Sequence, residues 1–219
     1  MRNLLLMPVL LIVFLFINLP AKAQQPKWLL KWDAAGLTDF VTPVLYYSTE
    51  VRTSGKWGFE IGYGTPMYGL TSKKENQTYW ELRGEIRRFQ RLQQWGGFLY
   101  AVEGFYIPRS YTRRNDVYTN EFGQSYYYDA ADIDWNVVGG AAKWGVMFNF
   151  GERFSVELFS GLGLRLRTLR YEVTNPSLID QGSVVAASSN SIFNDDLHEG
   201  QKALLHLAFG CKLGIALIQ

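Results

Sequence analysis

Residues 205–217 read LHLAFGCKLGIAL, in which bulky apolar side chains alternate with smaller or polar ones without a break. A period of two is the side-chain pattern of a β-strand. The second face carries Ala and Gly with only His206 and Lys212, instead of the long polar row that water favours. Bulky groups toward lipid and small or polar groups toward a narrow lumen fit this pattern better. The segment therefore predicts a membrane-spanning β-strand.

Seven further stretches carry strand signals of the same kind. With the last one they predict an all-β fold, an eight-stranded antiparallel up-and-down transmembrane β-barrel. In the sixth strand, Gly139 and Gly140 predict a bulge that changes the facing of the residues beyond it. The predicted strands are residues 27–36, 41–52, 56–64, 78–90, 96–109, 133–149, 153–171 and 202–218.

The connections alternate in length, as they do in outer-membrane barrels. Tight turns at 53–56, 90–95 and 150–153 predict a periplasmic side. Long polar segments predict external loops, at residues 65–77, 110–132 and 172–201.

Aromatic residues near both strand ends predict two belts at the lipid interfaces. The belt at the short-turn end would consist of Trp57, Trp95, Phe148, Phe150 and Phe154. The belt nearer the long loops would consist of Tyr63, Trp80, Tyr106 and Tyr171.

The first residues predict export. Arg2 precedes an apolar run at 4–19, and Ala21-Lys22-Ala23 has the small-x-small pattern of a cleavage site. We expect residues 1–23 to be a signal peptide and residues 24–219 to form one outer-membrane barrel domain. A permanent transmembrane helix is the alternative, which the short run and its prolines disfavour. The net charge of +2 gives no indication of nucleic-acid binding, and the single cysteine, Cys211, excludes an intramolecular disulfide.

Charged side chains project to the face opposite lipid in most strands. An eight-stranded barrel has room inside only for side chains, so these charges are expected to pair with one another. We interpret them as a network that closes the lumen, with a proton or ion path as the alternative. The predicted network is Glu50, Glu60, Glu81, Arg83, Glu85, Arg87, Glu103, Lys143, Glu157, Arg165, Arg167 and Lys212.

Three segments resemble a Bacteroidota-type family of small Gram-negative outer-membrane barrels that is known as a domain of unknown function. They are TYWELRGEIRRF at 78–89, GGFLYAVEGFYIP at 96–108 and FNFGERFSVELFSGLGLRLRTLRYE at 148–172. The resemblance covers most of the mature chain, and Glu85, Arg87 and Glu157 fall on the family's inward charged positions. It implies the fold and an outer-membrane location, and it implies no activity.

The chain has two histidines, and neither lies in a catalytic motif. Some small outer-membrane barrels act on acyl chains with a Ser that a His activates. His206 faces the lumen without a Ser in its strand, so we expect a packing residue. The segment 194–199, NDDLHE, has oxygen ligands but no defined ligand spacing. We therefore expect no metal site and no cofactor.

The sequence thus predicts a small, closed, porin-like outer-membrane barrel with a structural or ligand-binding role and no enzymatic activity. A lipid-modifying barrel enzyme, an acyl hydrolase or transferase, is the first alternative, and a soluble secreted β-barrel is the second. Expected partners are outer-membrane lipid and, during biogenesis, the barrel assembly machinery and periplasmic chaperones. The external ligand is not identified. Candidate loop contacts are Arg113, Arg114, Tyr126, Tyr127 and Tyr128.

Overall fold

The computed structural model describes residues 27–34, 44–53, 56–66, 75–93, 96–151, 153–178 and 198–218. The predicted signal peptide and Trp95 lie outside these ranges. Among the described residues, no helix is long and apolar enough to cross a membrane.

The described chain forms ten strands in one antiparallel sheet. They are β1 Lys27–Asp33, β2 Val44–Thr53, β3 Trp57–Pro66, β4 Glu75–Tyr79, β5 Glu81–Gln93, β6 Gly96–Thr119, β7 Ser125–Phe150, β8 Phe154–Thr174, β9 Ser177–Leu178 and β10 Gly200–Ile218.

Eight of these strands close on themselves. The ring runs β1-β2-β3-β5-β6-β7-β8-β10 and returns to β1, because β1 pairs with both β2 and β10. Closure leaves no open edge in the ring, which removes the template for edge-to-edge aggregation. The prediction of an eight-stranded antiparallel barrel is confirmed.

The predicted fourth strand is split into β4 and β5 at Trp80. Both pieces pair with β6, and the position opposite Trp80 is Pro108. Pro108 has no amide hydrogen to donate, so only one bond joins the two residues, from the Trp80 amide to the Pro108 carbonyl at 3.4 Å. The ladder weakens there while the path of the strand continues.

The prediction that residues 110–132 form a loop is wrong, because β6 and β7 continue through them as a hairpin. The turn between them is ordered: Asn120 Oδ1 accepts the amides of Phe122 and Gln124 at 3.0 and 2.9 Å. Gly123 takes φ +79°, a conformation that glycine adopts without strain. The predicted loop at 172–201 likewise begins as strand, with β8 reaching Thr174 and β9 pairing with β7.

The predicted bulge at Gly139 and Gly140 is also wrong. Their partners in β6, Phe105 and Gly104, follow each other without a register shift. A Cβ on Gly139 would lie 2.5 Å from the Phe105 ring. This glycine therefore makes room for an inward aromatic side chain.

Side chains alternate around the ring as predicted, with small and charged groups inside and large apolar groups outside. Trp80 packs against both Tyr63 and Tyr106 near the end of the ring, at ring-centroid distances of 6.5 and 5.4 Å. Tyr171 does not join them. It faces inward at 9% exposure and stacks on Tyr118 at 4.8 Å, so its assignment to an outer belt is wrong.

Two glycines test how closely the barrel wall is packed. A Cβ on inward Gly163 would overlap the Gly140 carbonyl oxygen and lie 2.7 Å from Ala141 Cα, whereas one on outward Gly84 would meet nothing within 4 Å. We expect Gly163→Ala to lower the free energy of unfolding by about 1–3 kcal/mol. Gly84→Ala should leave it within about 0.5 kcal/mol or raise it slightly. Urea unfolding in lipid vesicles measures both, and equal effects would contradict the packing described.

Candidate functional site: the lumen and its mouth

A charge-balanced network of side chains fills the middle of the lumen. Within the described ranges, six carboxylates and six basic groups form its ion pairs, and every strand of the ring supplies at least one of them. The carboxylates are Glu50, Glu60, Glu81, Glu85, Glu103 and Glu157, and the basic groups are Lys31, Arg52, Arg83, Arg87, Lys143 and Lys212.

Arg87 is the centre of this network. Its guanidinium contacts Glu50 and Glu157 and lies 2.7 Å from Glu60 and 3.2 Å from Glu85. The residue is 0% exposed. A guanidinium offers five donors in a planar fork, so one side chain can bind carboxylates from several strands.

Two observed members are absent from the predicted network, Arg52 and Lys31. Lys31 Nζ contacts Glu50 and lies 3.1 Å from Glu60 and 2.8 Å from Glu157. The signal was present in the sequence, because Lys31 alternates with bulky Leu30 and Trp32 in a strand that was predicted.

Two more lysines extend the network toward the long-loop end. Lys212 Nζ lies 2.6 Å from Glu60 and 2.7 Å from Glu85, and Lys143 joins Glu85, at 2.9 Å, to Glu103. Arg83 continues it, pairing with Glu81 and lying 3.6 Å from Glu103. The carboxylates are thus shared between neighbouring cations, which lowers the cost of burying each charge.

An apolar cluster closes the lumen at the short-turn end. Phe89, Leu99, Ala101 and Met147 are all buried and pack together. Arg52 connects them to the charges above, because it pairs with Glu50, donates to Met147 Sδ at 2.9 Å and lies 4.5 Å from the Phe89 ring centre. The described lumen is therefore occupied by side chains both at the network and beneath it.

The structure does not bring Arg165 into contact with Glu85, Arg87 or Glu157. Among the described residues Arg165 forms no ion pair. The Arg167 guanidinium donates to the His198 carbonyl at 3.5 Å and lies 5.8 Å from the Trp135 ring centre. The hypothesis of one network that includes Arg165 is thus corrected. An inward-facing side chain can lie at any position along the axis of the lumen.

Beyond the ring, β6, β7 and β8 form a wall with an aromatic core. Its buried members are Tyr111, Tyr118, Tyr128, Ala131, Ile133, Leu169 and Tyr171. Asn115, with φ 52°, lies between buried Tyr111 and buried Tyr118, and the buried face changes from odd to even positions across it. Burial raises the pKa of the Tyr118 and Tyr128 phenols above the ordinary value, which keeps both neutral.

The candidate contact residues of this segment differ in accessibility. Tyr128 is 0% exposed, so its proposed role as a surface contact is wrong. Tyr126 is half-buried and stacks on Tyr118, and Arg113 lies 3.1 Å from Asp116. Tyr127 and Arg114 are exposed and are the two that a partner could reach.

His206 packs against Phe105, with ring centres 4.6 Å apart. No serine hydroxyl is hydrogen-bonded to His206 within the described ranges. The same ranges contain no group of three or more His, Cys, Asp or Glu residues that could hold a metal ion.

No family model matches the chain, and no curated protein matches it. Membership of the family that the sequence resembles therefore stays a prediction. Among solved structures, the crystal structure of Acinetobacter baumannii CarO is similar over 89% of this chain and 98% of its own, at 13% identity and a TM-score of 0.34. A likeness this weak carries no argument about function, and the strand pairing alone defines the fold.

Double-mutant cycles distinguish members of the network from residues outside it. Arg87→Met and Glu157→Gln should each cost about 3–5 kcal/mol of unfolding free energy, because each leaves the buried network with one uncompensated charge. The double variant should cost less than the sum by at least about 0.5 kcal/mol. Glu85→Gln and Arg165→Gln, which share no contact, should add within about 0.5 kcal/mol. Additivity of the first pair, read by urea unfolding in lipid, would contradict the network.

Proposed function

We propose that the chain is an outer-membrane β-barrel with a closed lumen and a non-enzymatic role, presenting the β6–β7 hairpin outside the cell. The observation that carries this proposal is the inverted distribution of polarity: buried ion pairs inside and an apolar surface outside. Monomeric soluble proteins rarely expose contiguous apolar patches of more than a few hundred Å². A lipid environment accounts for both faces at once.

The apolar surface encircles the ring. Leu164 on β8 is 68% exposed and Phe209 on the neighbouring β10 is 73% exposed. The outward face of β8 carries no charge from Phe154 to Leu166. Arg170 is the first charged residue on that face, and Arg153 immediately precedes the strand. A transmembrane β-strand needs about 9–11 residues, which this stretch exceeds.

The interior supports a closed barrel rather than a channel. Water-filled conduction needs space along the axis, whereas the network and the apolar cluster beneath it fill the lumen with side chains. The rigid part outside the ring is the hairpin, whose ladder continues from Gly96↔Phe148 to Thr119↔Ser125. Rigid scaffolds commonly carry recognition at such exposed ends.

The two alternatives have less support. A lipid-modifying enzyme needs a nucleophile beside a base, and the contact that the structure shows for the His206 ring is with Phe105. A soluble secreted barrel would leave the outward apolar side chains of every strand of the ring in water.

Leu164→Arg tests the membrane assignment. At the bilayer midplane this change should cost about 2–4 kcal/mol of folding free energy in lipid vesicles. Gln124→Arg, in the exposed turn of the hairpin, is the matched control and should stay within about 0.5 kcal/mol. The wild-type protein should also migrate differently on a gel before and after boiling. Equal stability of both variants, without heat-modifiable migration, would refute the membrane assignment.

Impermeant thiol labelling tests the orientation, in a Cys211→Ser background. Glu121→Cys lies in the exposed turn between β6 and β7, and Arg153→Cys lies in the exposed turn between β7 and β8. Intact cells should label the first variant, and the second only after the outer membrane is broken. The reverse pattern would show that the hairpin faces the periplasm.

A further inference from the structure

We propose that a groove on the outward surface of β6, β7 and β8 binds one glycerophospholipid, with an acyl chain in the groove and the lipid phosphate on Arg88. The inference rests on the proposed membrane location, and it adds a site and a class of ligand to it. The site lies on the outside of the barrel, away from the ion-pair network.

The groove has a volume of about 450 Å³ and lies between two rows of outward side chains. Its floor is the backbone at Leu99, Gly145 and Phe159, because the Leu99 and Phe159 side chains are buried on the inner face. Pockets for small ligands commonly measure about 300–1,000 Å³ and are mostly apolar, so the groove is large enough for part of a lipid. The row nearer the short turns is Phe98, Val146 and Leu158, and the other row is Tyr100, Trp144 and Ser160.

Arg88 places a positive charge beside this groove. It is exposed on the outward face of β5, directly opposite Tyr100 on one side and Trp57 on the other. Its guanidinium carbon lies 5.6 Å from the Trp57 ring centre. Cation–π contact fixes the position of a guanidinium without using its N–H groups. Because Arg88 forms no ion pair within the described part of the chain, these N–H groups can donate to an external anion.

The charges around Arg88 favour an anion. The two neighbouring turns, residues 53–56 and 90–95, contain Lys56 and Arg91 and no Asp or Glu. Arg binds phosphate through two parallel hydrogen bonds, and a hydroxyl such as that of Tyr100 can donate as well. The phosphate of a glycerophospholipid is an anion of this kind, and it is joined to the acyl chains that an apolar groove accepts.

The slope of the strands aligns the site with a lipid molecule. A row of cross-strand partners runs obliquely to the membrane, because strands of such barrels tilt by about 35–45°. On the row through Arg88, Trp57 is the first residue of β3, whereas Ser160 lies well inside β8, which begins at Phe154. Arg88 therefore lies at the interface, where a charge costs little, and the groove extends from there toward the apolar interior of the bilayer.

Native mass spectrometry of the purified full-length protein in detergent tests the phosphate contact. The probe is phosphatidylglycerol, and diacylglycerol with the same chains is the comparison without phosphate. Wild type should retain one phosphatidylglycerol, and Arg88→Gln should weaken its binding by roughly tenfold, because a bidentate charged contact is lost. Arg170→Gln is the matched control, since Arg170 is exposed on the outward face near the other end of β8. It should leave binding unchanged.

A second variant tests the groove independently of the charge. Ser160→Phe places a large side chain at the rim of the groove and should weaken phosphatidylglycerol binding several-fold. Ala203→Phe is its matched control, because Ala203 is exposed on β10 opposite outward Leu166, away from the groove. It should bind as wild type does.

Three results would overturn the proposal: no phosphatidylglycerol retained by wild type, equal retention of diacylglycerol, or unchanged binding by either Arg88→Gln or Ser160→Phe. A lipid-free dimer would overturn it as well, since a second copy of the chain would then occupy the groove. Insertion of the wild-type protein into lipid vesicles separates the two proposals. A protein that inserts but gives one of these results refutes the lipid site alone, whereas failure to insert refutes the membrane assignment.

Discussion

Arg87 is buried at the centre of the lumen, in contact with four carboxylates that come from four different strands. An unpaired charge in such a place costs several kcal/mol, so the network is stable only when all eight strands stand in the correct register. A slip of one residue would turn a strand's charges toward lipid and its leucines inward. Charge pairing and ring closure therefore depend on each other.

This arrangement reverses the usual distribution of polar and apolar side chains in a folded soluble domain. The interior supplies directional, charge-assisted contacts, while the apolar surface that would stabilise a soluble core lies outside. Lipid is the environment in which such an exterior is favourable. The buried charges then contribute mainly to the specificity of strand pairing, because each cation contacts carboxylates from particular strands and so selects one register.

The sequence predicted the ring because alternation is strict wherever one face meets lipid, as in residues 205–217. It did not predict the hairpin of β6 and β7, because the buried face changes parity at Asn115 and the composition there is polar. The prediction placed Arg165 in the wrong cluster. Period-two alternation predicts which face of the barrel wall a side chain occupies, but not its position along the barrel axis. The alternation in β1 places Lys31 inward between Leu30 and Trp32, but the short strand alone does not predict which carboxylates of other strands it contacts.

The central claim is that side chains close the lumen through a balanced network. Planar-bilayer recording of the purified, folded wild-type protein measures this most directly. We expect no stable, reproducible conductance, because paired side chains occupy the axis of the barrel. A stable open pore, seen repeatedly with independently folded preparations, would contradict it.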